Sequence, residues 1–283
     1  MAELIKGAPV AASIDERTKT TVEELKARGI TPTFATLRVG ERGDDIAYER
    51  GAGKKAASVG LEVRNIVLPA DITQEQLMEE LDKVNKDTSI HGVLVFRPLP
   101  AHLDGEAVRL ALDPAKDIDG MTDGSLAGVF TNTKLGFPPC TAQAVMEILK
   151  FQGIELQGKN VTVIGHSLVV GRPLVNMLLW ENATVTCCHV FTVDTGSFAK
   201  KADILVAAAG VAGLFGEGYF APGQTCIDVG ITMMPDGKLS GDFKFDIAEP
   251  IVDAITPVPG GVGSVTTSVL VGNVAVAALR QNS

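Results

Sequence analysis

The sequence lacks the features that mark several large classes of protein. Its 283 residues carry a formal net charge of −9, whereas a general nucleic-acid binder needs a basic face. The first residues form neither a basic nor an apolar leader region. No uninterrupted apolar run approaches the roughly 20 residues of a membrane span. We therefore expect a cytoplasmic protein with neither a nucleic-acid partner nor a membrane partner.

Cysteine is scarce, and its spacing does not match that of metal ligands. None of the four cysteines stands in a metal-binding pattern, so we predict no metal site. We interpret all four as buried thiols in a reducing compartment. The adjacent pair Cys187 and Cys188 lies in a strand pattern, so these two side chains should point to opposite faces. The other two are Cys140 and Cys226.

The first half of the chain alternates predicted strands and helices. With 46% hydrophobic and 21% charged residues, a globular core is expected, and the length allows about two domains. A capping box at residues 73–76 marks one helix start. The alternation favours an α/β domain with a mostly parallel sheet. Strands are predicted at 33–39, 62–68 and 91–96, and helices at 11–28, 46–59 and 73–85.

A second α/β pattern begins near residue 158. A β-branched run leads into a glycine turn at 164–173, an apolar helix to residue 180, and a strand at 183–188. Strand, glycine turn, helix and strand begin a dinucleotide-binding unit, in which a pyrophosphate rests at the helix N-terminus. The spacing is GxSxxxG rather than GxGxxG, so a tight turn without a ligand is the alternative.

The remaining segments set the predicted domain boundaries. Later strands are expected at 204–208, 225–229 and 239–242, followed by a rigid loop at 256–263. A helix at 142–151 should bridge the domains, and a final helix at 266–279 should pack back on the first domain. We therefore predict one domain from residues 1–141 plus 266–283, and a second, Rossmann-like domain from residues 142–265.

Several separate motifs follow one another along the chain. They are Val39-Gly40, Tyr48, Arg97-Pro98-Leu99-Pro100, Lys116-Asp117-Ile118-Asp119-Gly120, Pro139-Cys140-Thr141, Gly165-His166-Ser167, Val170-Gly171-Arg172-Pro173, Asp228-Val229-Gly230-Ile231 and Pro257-Val258-Pro259-Gly260-Gly261-Val262-Gly263. With these motifs, the chain resembles the methylenetetrahydrofolate dehydrogenase/cyclohydrolase family nearly end to end. The resemblance implies two α/β domains with folate in a cleft between them, homodimers, and oxidation of 5,10-methylenetetrahydrofolate with a nicotinamide cofactor. Many members also hydrolyse the methenyl product.

The resemblance implies a catalytic and substrate-binding set of residues. Tyr48 would stack on the aminobenzoate ring, and Asp119 would accept hydrogen bonds from the pterin. Asp117 is interpreted as structural. The alternatives are a half-buried aromatic for Tyr48 and a turn residue for Asp119. The other predicted substrate-binding residues are Phe96, Pro98, Leu99, Pro259, Gly260 and Gly263.

The resemblance also implies a cofactor set, and the sequence favours NAD over NADP. His166 and Val190 occupy positions where NADP-using relatives carry Arg or Ser, but an acidic ribose ligand is missing too, so NADP stays the alternative. Arg172 could equally form a surface ion pair, and Thr266 could be only an N-cap. The predicted set is Gly165, His166, Ser167, Val170, Gly171, Arg172, Val190, Ala209, Gly210, Ile231 and Thr266.

Two departures from the family pattern concern the hydrolysis. Ala52 stands where most bifunctional members carry a lysine, and Phe96 stands where they carry a glutamine. Lys55 lies about 10 Å along the helix from Tyr48. Cyclohydrolysis needs a tuned lysine, whereas hydride transfer needs none, so we expect a dehydrogenase without cyclohydrolase activity. The alternatives are a bifunctional enzyme in which Lys55, Arg50 or Arg97 has taken over, and a non-enzymatic cofactor-binding protein.

Overall fold

The computed structural model describes residues 1–283, which form two compact units. We call Ser13–Cys140 with Thr267–Ser283 the three-stranded unit, and Met1–Ala12 with Thr141–Thr266 the six-stranded unit. The predicted division put residues 1–12 in the other unit. The reason for the difference is a short strand, β1 (Glu3–Leu4), which pairs in parallel with β11 (Ala254–Ile255).

The three-stranded unit is built on a parallel sheet with the order β3-β2-β4. Its strands are β2 (Thr33–Val39), β3 (Glu62–Leu68) and β4 (Gly92–Val95). The central strand is buried along almost its whole length, as expected for a parallel strand covered on both faces. Side chains of β2 and β4 form one apolar core together with those of helix α3 (Gln74–Lys86). Polar groups that follow β4 are therefore held at a rigid sheet edge.

Six helices contribute to this unit, and two of them were not predicted. The capping box at Thr73 and Gln76 is present as predicted. The unpredicted helices α4 and α5 are short, and their side-chain caps come from Asp104 and Thr122. The helices are α1 (Gly7–Ala27, whose first turns belong to the other unit), α2 (Gly43–Ser58), α3 (Gln74–Lys86), α4 (Gly105–Ala111), α5 (Asp123–Thr131) and α10 (Thr266–Gln281).

The six-stranded unit has a parallel sheet with the order β1-β11-β8-β7-β5-β6. The predicted strand at 239–242 is shorter than expected and lies outside this sheet, because it pairs antiparallel with the two-residue strand β9. The other strands are β5 (Asn160–Ile164), β6 (Thr184–Cys188), β7 (Ile204–Ala207), β8 (Thr225–Asp228), β9 (Thr232–Met233) and β10 (Leu239–Ser240).

The helices of this unit are α6 (Cys140–Phe151), α7 (Gly171–Trp180), α8 (Thr195–Lys200) and α9 (Phe245–Ala248). The expectation that all cysteines are buried was wrong for Cys187, which is exposed, whereas Cys188 is buried. Both lie on β6, which is the edge strand, so one face of β6 meets solvent. Their opposite orientation agrees with the prediction.

One stretch of the chain, Val262–Gln281, is long and apolar enough to cross a membrane by length and composition alone. The sequence had suggested no such stretch. In the structure 61% of its 18-residue apolar window is buried inside the protein, as in the core helix of a globular unit. This feature is therefore weak evidence for a membrane span.

Candidate active site

Tyr48 lies on α2 of the three-stranded unit, and the residue is 44% exposed. The ring meets Phe96 edge to face, at 6.1 Å between ring centroids. Burial of the hydroxyl, which is hydrogen-bonded with Thr267, raises the pKa of Tyr48 to about 12. The phenol therefore stays protonated at neutral pH, and it offers a flat apolar face and a hydrogen bond rather than a base.

The loop that carries Asp119 is fixed by two buried charged side chains. The Asp117 carboxylate is fully buried and accepts hydrogen bonds from the backbone N–H groups of Met121 and Thr122 and from the Ser125 hydroxyl, at 2.6–3.0 Å. The Lys116 ammonium donates to two carbonyl oxygens near the end of α3, both at 2.6 Å. These contacts agree with the structural role predicted for Asp117.

Asp119 itself is a perturbed carboxyl group with one cationic neighbour. Burial raises its pKa to about 6, and the Arg97 guanidinium, with Nη2 3.5 Å from Oδ2, acts in the opposite direction. The buried Cys140 thiol also lies within hydrogen-bond reach of the carboxyl group. Because 32% of the Asp119 side chain remains exposed, a ligand can reach it. A carboxyl group of this kind is suited to bind the flat donor edge of a heterocycle.

Neither position 52 nor position 55 of α2 offers Tyr48 a free ammonium group. Ala52, one turn further along α2, is 1% exposed, and Phe96 is 8% exposed. Lys55 lies two turns after Tyr48, and its Nζ is 2.7 Å from Oδ2 of Asp15 on α1. This ion pair is partly buried, with the lysine side chain 30% and the aspartate side chain 17% exposed. The Lys55 ammonium group is therefore paired with a carboxylate of α1.

The other unit carries a glycine loop that ends at the N-terminus of α7. A Cβ atom at Gly171 would overlap the carbonyl oxygen of Gly165, so this close turn requires glycine. The Ser167 hydroxyl accepts a hydrogen bond from the Val170 N–H at 3.1 Å. No side chain caps α7, so the positive end of its helix dipole can attract an anion such as a pyrophosphate. The N–H groups of its first turn are partly used, because the Arg172 N–H donates to the Ser167 carbonyl at 3.0 Å. Arg172, in the first turn, is exposed.

Beside this loop, the end of β6 presents aromatic rather than charged groups. The rings of His166 and His189 have their centroids 4.9 Å apart and their planes tilted by 35°. Val190 is 88% exposed, and no ion pair involves any of these three residues. At the position where a Rossmann-like site meets the adenosine ribose, the chain offers two imidazoles and an apolar side chain.

The loop after β7 is held by a buried carboxylate that sequence reasoning missed. Asp242 is fully buried and accepts hydrogen bonds from the N–H groups of Ala209, Gly210 and Val211, at 2.6, 3.0 and 2.9 Å. A Cβ atom at Gly230 would overlap the Asp242 carboxylate, which explains the small residue there. The sequence had suggested only a strand end at this aspartate.

A cavity of about 280 Å³ lies in the same unit. It brings together Ile231, predicted to bind cofactor, with Pro259, Gly260 and Gly263, predicted to bind substrate. Thr266 follows at the start of α10, and its hydroxyl donates to the Gly263 carbonyl at 3.1 Å rather than capping the helix. Pro98 is exposed and Leu99 half-buried, and both lie in the three-stranded unit beyond β4. The predicted residues are thus divided between the two units.

Comparison with known proteins agrees with this arrangement. The family model for the tetrahydrofolate dehydrogenase/cyclohydrolase catalytic domain matches residues 5–119, and the model for the NAD(P)-binding domain matches residues 139–282. The chain is 50% identical over 272 residues to a bifunctional protein FolD from Carboxydothermus hydrogenoformans, covering 95% of each chain. It is 47% identical over 283 residues to the FolD of Alkaliphilus metalliredigens, covering 100% of each.

Among solved structures, the bifunctional FolD from Campylobacter jejuni superposes with a TM-score of 0.95 at 34% identity, covering 99% of both chains. Two family models together span nearly the whole sequence, and relatives match from end to end. The expected two-domain α/β fold and the family resemblance are therefore confirmed. The chain belongs to the tetrahydrofolate dehydrogenase/cyclohydrolase family.

Proposed function

We propose that this protein oxidises 5,10-methylenetetrahydrofolate to 5,10-methenyltetrahydrofolate and does not hydrolyse the product. The observation that carries the second half is the missing ammonium group near Tyr48. Position 52 is a buried alanine, and Lys55 is bound to Asp15 at 2.7 Å. Family membership and the Asp119 site support the first half.

The folate would be bound by the three-stranded unit. Asp119 would accept hydrogen bonds from the amino group and ring N–H of the pterin, and Tyr48 would stack on the aminobenzoate ring. Tyr48 provides the flat apolar contact for the aminobenzoate ring, and Asp119 provides the carboxylate for the planar donor edge of the pterin. Phe96 supports the Tyr48 ring from its edge, at 6.1 Å between centroids.

The oxidation requires orientation more than proton transfer. The N10 lone pair of the substrate drives hydride off the methylene carbon, so no protein base is needed. A nicotinamide ring, when bound, supplies the hydride acceptor. Tyr48, with a pKa of about 12, stays a neutral phenol and holds the substrate without taking a proton.

Hydrolysis of the methenyl product makes a different demand. A water molecule must be activated and a proton moved, which requires a titratable group near the one-carbon bridge. Phe96 cannot hydrogen-bond a water molecule through its side chain, and the Ala52 side chain has no titratable group. The product would therefore leave as the methenyl compound, and any hydrolysis would be spontaneous or catalysed by another protein.

We propose NAD as the preferred dinucleotide. The glycine loop and the uncapped N-terminus of α7 fit the pyrophosphate of either cofactor. Discrimination between the two cofactors depends on the side chains that face the adenosine ribose. There the imidazoles of His166 and His189 and the apolar Val190 offer no permanent cation for a 2′-phosphate. The proposal predicts a higher kcat/KM with NAD than with NADP.

Two assays test these statements. Reduction of NAD or NADP by 5,10-methylenetetrahydrofolate measures the dehydrogenase, and loss of methenyltetrahydrofolate absorbance measures the cyclohydrolase. We expect cofactor reduction, and hydrolysis no faster than the rate without protein. Hydrolysis above that rate would refute the monofunctional proposal, and the variants Lys55→Met, Arg50→Leu and Arg97→Leu would then identify the responsible group. Absence of cofactor reduction would favour the non-enzymatic binding protein.

We also propose a cytoplasmic homodimer. The edge strand β6 is followed by exposed apolar side chains at Val190, Phe191 and Val193, each more than 80% exposed. Apolar side chains grouped beside an unpaired strand edge are typical of a surface that another subunit covers. Sedimentation equilibrium of the purified protein tests this proposal, and a monomer at micromolar concentration would contradict it.

A further inference from the structure

The Asp119 carboxyl group is placed in a setting that favours its neutral form. Burial is the dominant influence, and the nearby carboxylate of Asp117 acts in the same direction. The groups that face Asp119 are the Arg97 guanidinium, the Asp117 carboxylate, the Cys140 thiol and the Tyr48 phenol. A neutral acid at this position would lose most of its ability to bind two donors of a planar ring.

Arg97 is the only cation among these neighbours. The Cys140 thiol is fully buried, and its pKa is raised by that burial, so it remains neutral. Tyr48 remains neutral for the same reason. Arg97 lies two residues after the end of β4, and its Nη2 atom is 3.5 Å from Oδ2 of Asp119. Its side chain is 37% exposed, so it is held over the rim of the site rather than within the core.

We infer that Arg97 is a positioning residue that keeps Asp119 ionised and thereby sets the lowest pH at which the folate site binds its ligand. The inference rests on the proposed function for the identity of the ligand. The electrostatic part concerns the protein alone. An opposite charge within about 4–6 Å of an aspartate lowers its pKa by roughly 1–3 units, and partial exposure of this pair points to the lower end.

The test compares Arg97→Leu with Arg97→Lys and the wild type. The leucine variant removes the positive charge, and the lysine variant keeps it on an ammonium group instead of a guanidinium group. Arg50→Leu serves as a matched control, because it removes an exposed cation of α2 that is not among the groups acting on Asp119. Binding of the stable reduced folate 5-formyltetrahydrofolate is measured by titration calorimetry across the neutral range, and the Asp119 carboxyl group is titrated by carbon-13 NMR in the free protein.

For Arg97→Leu we expect the NMR midpoint of Asp119 to rise by about one unit, and the pH midpoint of folate affinity to rise with it. The loss of folate affinity relative to the wild type is then largest at acidic pH and becomes smaller as the pH increases. Arg97→Lys should lie between the leucine variant and the wild type, and Arg50→Leu should titrate like the wild type. A purely structural role for Arg97 would lower affinity equally at every pH.

The outcomes separate this inference from the proposed function. An unchanged Asp119 midpoint in Arg97→Leu, or a pH-independent loss of affinity, would overturn the inference while folate binding by the wild type still stands. A wild type that binds no reduced folate at alkaline pH would overturn the proposed function and the ligand half of the inference. The NMR titration would still decide the electrostatic half.

Discussion

The replacement Asp242→Asn tests how the loop after β7, with its predicted cofactor-binding residues, is held. Asp242 Oδ2 accepts the N–H groups of Ala209 and Gly210, and Oδ1 accepts that of Val211. An asparagine keeps one oxygen and presents an NH₂ group in place of the other. If the amide oxygen stays at the Oδ2 position, the NH₂ group faces the Val211 N–H, and two donors then oppose each other.

The expected loss of folding stability follows from the number of hydrogen bonds that change. One buried N–H group left without an acceptor costs about 1–3 kcal/mol, and the two remaining bonds lose their charge assistance, roughly 1 kcal/mol more. Removal of the Asp242 charge has one stabilising effect, because it relieves repulsion of the neighbouring Asp228 carboxylate. Burial is the main cause that raises the pKa of Asp228 to about 6, and the Asp242 charge acts in the same direction. We therefore expect a net destabilisation of about 2 kcal/mol and a fall in Tm of about 4 °C.

Function should change more than stability, because the same loop carries two predicted cofactor-binding residues, Ala209 and Gly210. We expect KM for NAD to rise about tenfold, equivalent to roughly 1.4 kcal/mol, with a smaller change in kcat. Differential scanning fluorimetry and initial-rate kinetics measure the two effects. Asp236→Asn is the control, because that aspartate has a 59% exposed side chain in the β9–β10 hairpin.

The results can refute the reasoning in two ways. A lower Tm with unchanged KM for NAD would mean that Asp242 supports the fold without shaping the cofactor site. Unchanged Tm and unchanged KM would mean that the three hydrogen bonds do not hold this loop. Asp236→Asn should leave both quantities near those of the wild type.

Further predictions concern both units. Asp119 has a pKa near 6, above that of an unfolded aspartate, so its ionisation destabilises the fold. The stability of the wild type relative to Asp119→Asn should therefore be greatest in acid and fall between about pH 4 and pH 6, as followed by urea unfolding; a constant difference would contradict this. Gly171→Ala should abolish cofactor binding in calorimetry, because its methyl group would overlap the Gly165 carbonyl; wild-type affinity would contradict the loop geometry. Ala52→Lys combined with Phe96→Gln should produce methenyltetrahydrofolate hydrolysis above the spontaneous rate, and no gain would weaken the explanation by these two positions.

Local patterns were sufficient for much of the fold. The strands at 33–39 and 62–68 were predicted with both ends correct, because β-branched runs are bounded there by turn residues. The capping box at residues 73–76 is equally local, since its donors and acceptors lie within one turn. The glycine loop before α7 could be recognised because its chemistry depends on adjacent residues.

Other elements exist only because of partners far along the chain. Strands β1 and β11 are two residues long each and are stabilised by pairing across about 250 residues, so no local period reveals them. Helices α4 and α5 were not predicted, since seven and nine residues are too few for a clear helical period. The exposure of Cys187 follows from the position of β6 at the sheet edge, which the strand order decides.

The sequence by itself determined the family, the α/β class and the residue types at the site, because motifs and periodicity are properties of neighbours in the chain. Only the tertiary structure decided which charges meet. Arg97 lies 22 residues from Asp119, Lys55 lies 40 residues from Asp15, and Asp242 lies more than 30 residues from the loop it holds. An ionisable side chain acquires its function from the opposing charge and the burial it meets, and both depend on how distant segments pack.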